Sequence, residues 1–290
     1  MISEELRETA EKLVEQSRQS LSNPYESLQF PASVPVGEEW FTSPELISIH
    51  GTPAFDGMDD AQQRKLSFYE AVNFFSLNIH GEKALLEGLA RRLYDPELTE
   101  LSPYLHHFLD EENKHMIYFG TFCSRYGGKV YEDRTIAFHR QYAPGEESFL
   151  FFARVLIFEE IVDYFNRKMA RDERLNKVAR RINALHHADE ARHLVFGRSV
   201  VRELFVRFAG QWSAGTLLAV RQHLLGYFRV VWREYYNPEM FKDAGIAHPR
   251  QLAERTFSEE EAPRALRERV SQSTVDYFLK HGILLGKPSL

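Results

Sequence analysis

The sequence predicts an all-α protein built on four long helices. From Asp60 onward the chain falls into long segments with apolar residues at helical spacing, each closed by proline or glycine signals. No run of alternating strand character lies between turn signals, a short piece around Lys129–Tyr131 excepted. Glutamates and histidines also interrupt the apolar stripes at matched places on four of these segments.

The first segment, Glu4 to Leu21, has helical periodicity and stops at the turn signal Ser22-Asn23-Pro24. From Pro24 to Asp60 the chain is rich in Pro, Gly, Ser and Thr and reads as a long arm wrapping the surface. Such a loop usually has a task, for instance covering a site or a partner subunit. The first long helix is predicted from Ala61 to Tyr94, before Asp95-Pro96, because a residue preceding proline is pushed out of the helical region. The second starts at Ser102-Pro103 and ends at Gly127-Gly128, with a loop following to Gly145. The third covers Glu146 to Ala170, its acidic first turn suiting the helix dipole, and the fourth Glu173 to Ala209. Two more, Ser213 to Tyr236 and Ser258 to Lys280, complete a chain that reads as one domain over residues 1–290.

The bulk composition excludes several classes. A formal net charge of -6 argues against a nucleic-acid surface. The single cysteine, Cys123, excludes an intramolecular disulfide and a Cys-rich metal site, and fits a reducing cytoplasm. The start MISEELRETAEKLVEQ has no basic segment followed by an apolar run, so no secretion signal is expected. No apolar stretch approaches the ~20 residues of a membrane span, and the most apolar run, Phe149 to Phe158, is broken by Arg154. The expectation is a soluble, cytoplasmic protein with neither nucleic acid nor membrane as a partner.

The chemistry lies in the interrupted stripes. On the second long helix Glu112 and His115 share a face with Leu105, Phe108, Phe119 and Phe122. On the fourth, His186, Glu190 and His193 lie between Ile182 and Val200. Glu159 shares a face with Phe152, Val155 and Val162, and Glu82 with Phe75, Leu86 and Leu89. A buried, unpaired carboxylate is very costly, so four glutamates and three histidines need a shared positive charge. Carboxylate with neutral imidazole suits Fe(II). The pattern repeats: a lone Glu on one helix, then Glu-x-x-His on the next. Glu82 and Glu112 are 30 residues apart, Glu159 and Glu190 31. This is the ligand pattern of ferritin-like di-iron and di-manganese proteins, and it makes the predicted fold a ferritin-like four-helix bundle with additional N- and C-terminal helices.

Blander roles compete for some residues. A single Glu-x-x-His is most often a solvated helix face; two, each in an apolar stripe, are specific. Glu160 is an alternative to Glu159, pointing about 100° away on the helix. His106, His107 and His187 read as surface or supporting residues, and Asp189 and Glu111 as solvated or paired to Arg and Lys. Asp163 reads equally as the orienting partner of a metal-bound imidazole or as packing. Tyr118 and Tyr164 read as core.

At these residues the chain resembles the di-iron arylamine N-oxygenases, whose name-giving member is p-aminobenzoate N-oxygenase. The resemblance covers residues 66–201, most specifically GEKALLEGLARRLYD around Glu82, DEENKH around Glu112, EEIVDYFNRKMARDE from Glu159 and HHADEARH from His186. It implies a seventh ligand, a histidine one turn before the last Glu-x-x-His, and His186 occupies that place. It places Glu159 ahead of Glu160 as ligand. It further implies two iron ions bridged by glutamates, O2 as co-substrate, a small amine as substrate oxidised to hydroxylamine and beyond, a separate reductase or ferredoxin-type electron donor, and a homodimer. The same core in other relatives would serve C–H or C–C oxidation, the alternative reading. The stretch FFSLNIHG before Glu82 has no arginine to clamp a carboxylate; a benzoate-like substrate would have to find its cation elsewhere, for example Arg125, Arg154 or Arg233, and spacing singles out none of them.

Overall fold

The computed structural model describes residues 2–133 and 141–290. Its helices are α1 (Glu4–Gln19), α2 (Pro53–Asp56), α3 (Asp60–Arg92), α4 (Ser102–Phe122), α5 (Glu146–Met169), α6 (Lys177–Phe208), α7 (Ala214–Glu234), α8 (Pro238–Asp243), α9 (Pro249–Glu259) and α10 (Glu261–Lys280). The protein is all-α. Four helices make the bundle: α3 packs on α4 and α5, and α6 packs on α4 and α5. The neighbours therefore run α3, α4, α6, α5 around the bundle. The link from α4 to α5 joins opposite corners, which is why it is long. Outside this core, α1 lies on α4 and α6, α7 and α10 on α5, and α8 on α3.

Local chemistry sets the helix ends. Asp59 caps α3 in a full capping box, its Oδ1 accepting from Gln62 N at 2.8 Å. Pro103 occupies the first turn of α4. The expected start of the fourth long helix at Glu173 moves to Lys177. The Asp172 carboxylate accepts from Arg174 N at 3.1 Å and Asn176 takes the cap, its Oδ1 accepting from Val178 N at 3.0 Å, so a polar turn fills the gap. The last predicted helix, Ser258–Lys280, is two helices broken at Glu260, whose backbone is extended, and Ser258 belongs to α9. Among the described residues Lys129–Tyr131 forms no strand. Tyr131 N donates to Ser76 Oγ at 3.0 Å and its carbonyl accepts from His80 Nε2 at 2.7 Å, so α3 side chains satisfy this segment.

The arm differs from its expectation. Instead of lying on the surface, it drives Phe41, Leu46, Ile47 and Ile49 into the core. Phe41 N donates to Ser67 Oγ on α3 at 3.1 Å, and the Trp40 carbonyl accepts from Asn176 N at 2.7 Å. The Glu70 carboxylate, buried on α3, accepts from Ser48 N at 3.0 Å and from the Ser48 hydroxyl. The arm is a plug closing one end of α3, α5 and α6.

Two glycines set the distance between α3 and α5. A Cβ at Gly81 would overlap the Phe158 ring, and one at Gly88 the Phe151 ring. Both pairs are seven residues apart, so each ring of α5 seats in a notch of α3 on the same face. Gly81 directly precedes Glu82. Gly81→Ala is expected to cost about 1–3 kcal/mol by overpacking and to spread Glu82 from Glu159; thermal melting and metal titration of the variant read both effects.

Candidate metal centre

Each bundle helix turns a buried polar residue inward: α3 Glu82, α4 Glu112 and His115, α5 Glu159, and α6 His186, Glu190 and His193. All seven are at most 2% exposed. Their donor atoms form three overlapping groups, each within 4.8 Å: Glu82, Glu112, His115 and His186; Glu112, Glu190 and His193; Glu159, His186 and Glu190. Glu112, Glu190 and His186 belong to two groups each; a carboxylate with two oxygens can reach two positions, whereas an imidazole with one free nitrogen serves one.

His193 Nδ1 lies 2.9 Å from Glu112 Oε1 and 3.0 Å from Glu190 Oε1. His115 Nδ1 lies 3.1 Å from Glu112 Oε2 and 3.7 Å from Glu82 Oε1. His186 enters through its other nitrogen, with Nε2 3.2 Å from Glu82 Oε1 and 3.1 Å from Glu190 Oε1. The outward nitrogens of the first two are held by acids on the opposite helix. His115 Nε2 donates to Asp189 Oδ2 of α6 at 3.2 Å, and His193 Nε2 to Glu111 Oε2 of α4 at 2.8 Å. Arg192 ties these acids together, its Nη2 at 2.7 Å from Glu111 Oε1 and 2.5 Å from Asp189 Oδ1, and Lys114 Nζ lies 3.8 Å from Asp189. Glu111 and Asp189 thus have the Arg and Lys partners the sequence suggested. Their grip on two imidazoles was missed, although each sits one residue before a motif glutamate, a signal open to reading.

The alternatives fall elsewhere. Glu160 is turned to α6, where Arg198 Nε donates to its Oε1 at 2.6 Å. Asp163 pairs with His187 Nδ1 at 2.5 Å, so it orients no imidazole of the cluster. His106 bonds the Tyr94 hydroxyl at 3.1 Å on the surface, and His107 is half-buried. Tyr118 is core and Tyr164 half-buried. Arg125 is exposed and Arg233 is paired with Glu254, while Arg154 is half-buried with its guanidinium 5.9 Å from the Tyr227 ring centre.

Electrostatics shows the strain of this packing. Burial, then the charges of Glu190 and Glu82, push Glu159 well above the usual carboxylate range. Burial and Glu82 raise Glu112 to about 7. Burial also opposes ionisation of Glu190, but the charges of His193 and His186 outweigh it and hold it well below its ordinary value. Burial works against protonation of His115 and His193 as well, yet the surrounding carboxylates lift both far above theirs. Without a cation, protons must supply the positive charge. Even so, both Glu82 oxygens, Glu112 Oε1, Glu159 Oε2, Glu190 Oε2 and His186 Nε2 are buried without a hydrogen bond. Six orphaned donor atoms converge on one volume, and four carboxylates balance the charge of two divalent ions. The residues fit a dinuclear metal centre.

Residues 3–281 match the family model described as P-aminobenzoate N-oxygenase AurF. The chain belongs to this family. The family match runs well beyond residues 66–201, where the local motifs lie, into the arm and the C-terminal helices. Among curated relatives, the "Uncharacterized protein Rv0885" of Mycobacterium tuberculosis and "Uncharacterized protein Mb0909" of Mycobacterium bovis are each 24% identical over 194 residues, covering 64% of this chain. The match spans only 57% of those relatives' length. Among solved structures, the R2-like ligand-binding oxidase of Sulfolobus acidocaldarius aligns at 15% identity and a TM-score of 0.46, covering 97% of this chain and 92% of that one. A variant of an R2-like ligand-binding oxidase with an aerobically reconstituted Mn/Fe cofactor aligns at 17% and 0.48, covering 95% and 93%. No helix among the described residues is long and apolar enough to cross a membrane.

Proposed function

We propose that this chain is a non-haem di-iron oxygenase that oxidises the amine nitrogen of a small molecule to the hydroxylamine, and onward to nitroso or nitro. The observation that carries the reading is the third imidazole: His186 Nε2 is buried, lacks a hydrogen bond and faces two of the glutamates, adding a seventh donor to a set that is complete with six. Bound by Glu82, Glu112, His115, Glu159, His186, Glu190 and His193, the metal pair would supply the site at which O2 is reduced and transferred. The chain's own contribution is fixed geometry and dryness. Phe108 stacks on His193 with ring centres 4.0 Å apart, and Phe119 meets His186 edge-on at 5.0 Å, both rings fully buried. The four carboxylates neutralise the charge, and Glu111, Asp189 and Arg192 hold the tautomers of His115 and His193. Electrons come from a separate donor, since the sequence carries no flavin or nicotinamide signature and no cysteine set for an iron–sulfur cluster.

The test is metal analysis, followed by exposing the reduced protein to O2 with p-aminobenzoate and other arylamines. About two irons per chain and products gaining oxygen on nitrogen support the reading. Oxygen on carbon alone would move it to C–H or C–C oxidation, and a metal-free protein would sink both. Glu111→Gln is expected to lower iron affinity about 10–100-fold, because an amide accepts from His193 more weakly than a carboxylate and Arg192 loses half its anchor. Anaerobic titration with Fe2+ measures it.

A further inference from the structure

Asn166 stands on α5 two turns after Glu159, fully buried, with its amide in hydrogen-bond contact with His186 Nδ1. This makes His186 the exception among the three imidazoles. His115 and His193 point Nδ1 into the cluster and rest Nε2 on a carboxylate that is itself bound to Arg192. His186 is reversed, and behind it stands a neutral amide. We propose that Asn166 is the positioning residue of His186 and leaves it the weakest donor of the set, so that the metal position leaning on His186 is the second to fill. This rests on the dinuclear reading above.

An imidazole that binds metal through Nε2 must carry its proton on Nδ1, and that proton needs an acceptor. Asn166 Oδ1 can provide it, being buried with no hydrogen bond to give up. With Nε2 protonated and no metal, the same amide presents Nδ2 to the bare Nδ1. An asparagine serves both tautomers by turning its amide; a carboxylate serves only the first. The cost of this versatility is donor strength. A carboxylate behind an imidazole raises its basicity toward the metal, which a neutral amide does far less. His115 and His193 have that support and His186 does not.

Stepwise anaerobic titration of the apo-protein with Fe2+, and with Co2+ followed by its visible spectrum, tests this. Asn166→Ala is expected to leave the first binding constant in place and weaken the second about 10–100-fold, while Asn166→Asp, nearly the same shape, tightens the second above that of the wild type. Apo-protein melting separates a packing role, which would lower the melting temperature without moving the second constant. An unchanged second constant in both variants, or equal weakening of both constants, overturns the proposal. Should the alanine variant fail to fold, the aspartate variant decides alone: no tightening of the second constant overturns it. Wild-type protein that takes up fewer than two ions removes the dinuclear reading itself, which is visible before any variant is made.

Discussion

Glu190→Ala is expected to abolish dinuclear loading while leaving the bundle folded. Its Oε1 lies 3.0 Å from His193 Nδ1, 3.1 Å from His186 Nε2 and 3.8 Å from His115 Nδ1, so one oxygen reaches all three imidazoles. Glu190 also belongs to two of the three donor groups. Its loss removes a shared ligand and one of the four charges that balance two divalent ions. The empty protein should suffer little, because a small cavity costs about 1–2 kcal/mol and is offset by relief of carboxylate crowding. The loaded protein should suffer greatly. Saturating Fe2+ at a hundred times its dissociation constant stabilises the wild type by about 2.7 kcal/mol per site and should add nothing measurable to the variant. Iron analysis together with melting curves with and without Fe2+ reads the outcome. A variant that keeps two irons at wild-type affinity would remove Glu190 from the centre.

The second large effect concerns the plug and is independent of metal. Burial pushes the Glu70 carboxyl up to about 7, against the two hydrogen bonds from Ser48 that favour the charged form. An ordinary glutamate titrates near 4.3 in the unfolded chain. Below that value both states are protonated and the group is neutral toward stability. Between it and about 7 the unfolded state alone ionises, so stability falls as pH rises, levelling off above the folded-state value. The gap corresponds to roughly 4 kcal/mol. Glu70→Gln, which keeps an acceptor for Ser48, is expected to remove this slope and melt higher than the wild type at pH 8 with little difference at pH 4. Urea titrations of the apo-proteins across that range measure it, and parallel pH profiles would refute the assignment.

How far the sequence could be read depends on what periodicity can detect. A charged residue inside an apolar stripe must be buried, and this found Glu82, Glu112, His115, His186, Glu190 and His193 without any three-dimensional information. The same periodicity favoured Glu159 over Glu160 and the family resemblance added to it; the partner that turns Glu160 away, Arg198, comes from another helix 38 residues on. Asn166 escaped because an uncharged amide does not stand out on a buried face, although it lies seven residues from Glu159 and so on the same side. Asp163, one turn from Glu159, read equally as an orienting partner or as packing, and it serves His187 instead. The α9–α10 break was hidden because Glu260 is extended between two stretches of good helical composition. The arm's burial was hidden for a similar reason: Phe41, Ile47 and Ile49 show no period in a segment that is not a long helix.

The crossed hydrogen bonds between α4 and α6 have a consequence for assembly. Each helix carries an acid that aims the other helix's histidine, and Arg192 grips both acids. A slip of one helix along the other by a single residue would rotate about 100° of its face away and misaim both rings at once. The two helices therefore proofread each other: a chain folded out of register would aim neither ring at the cluster.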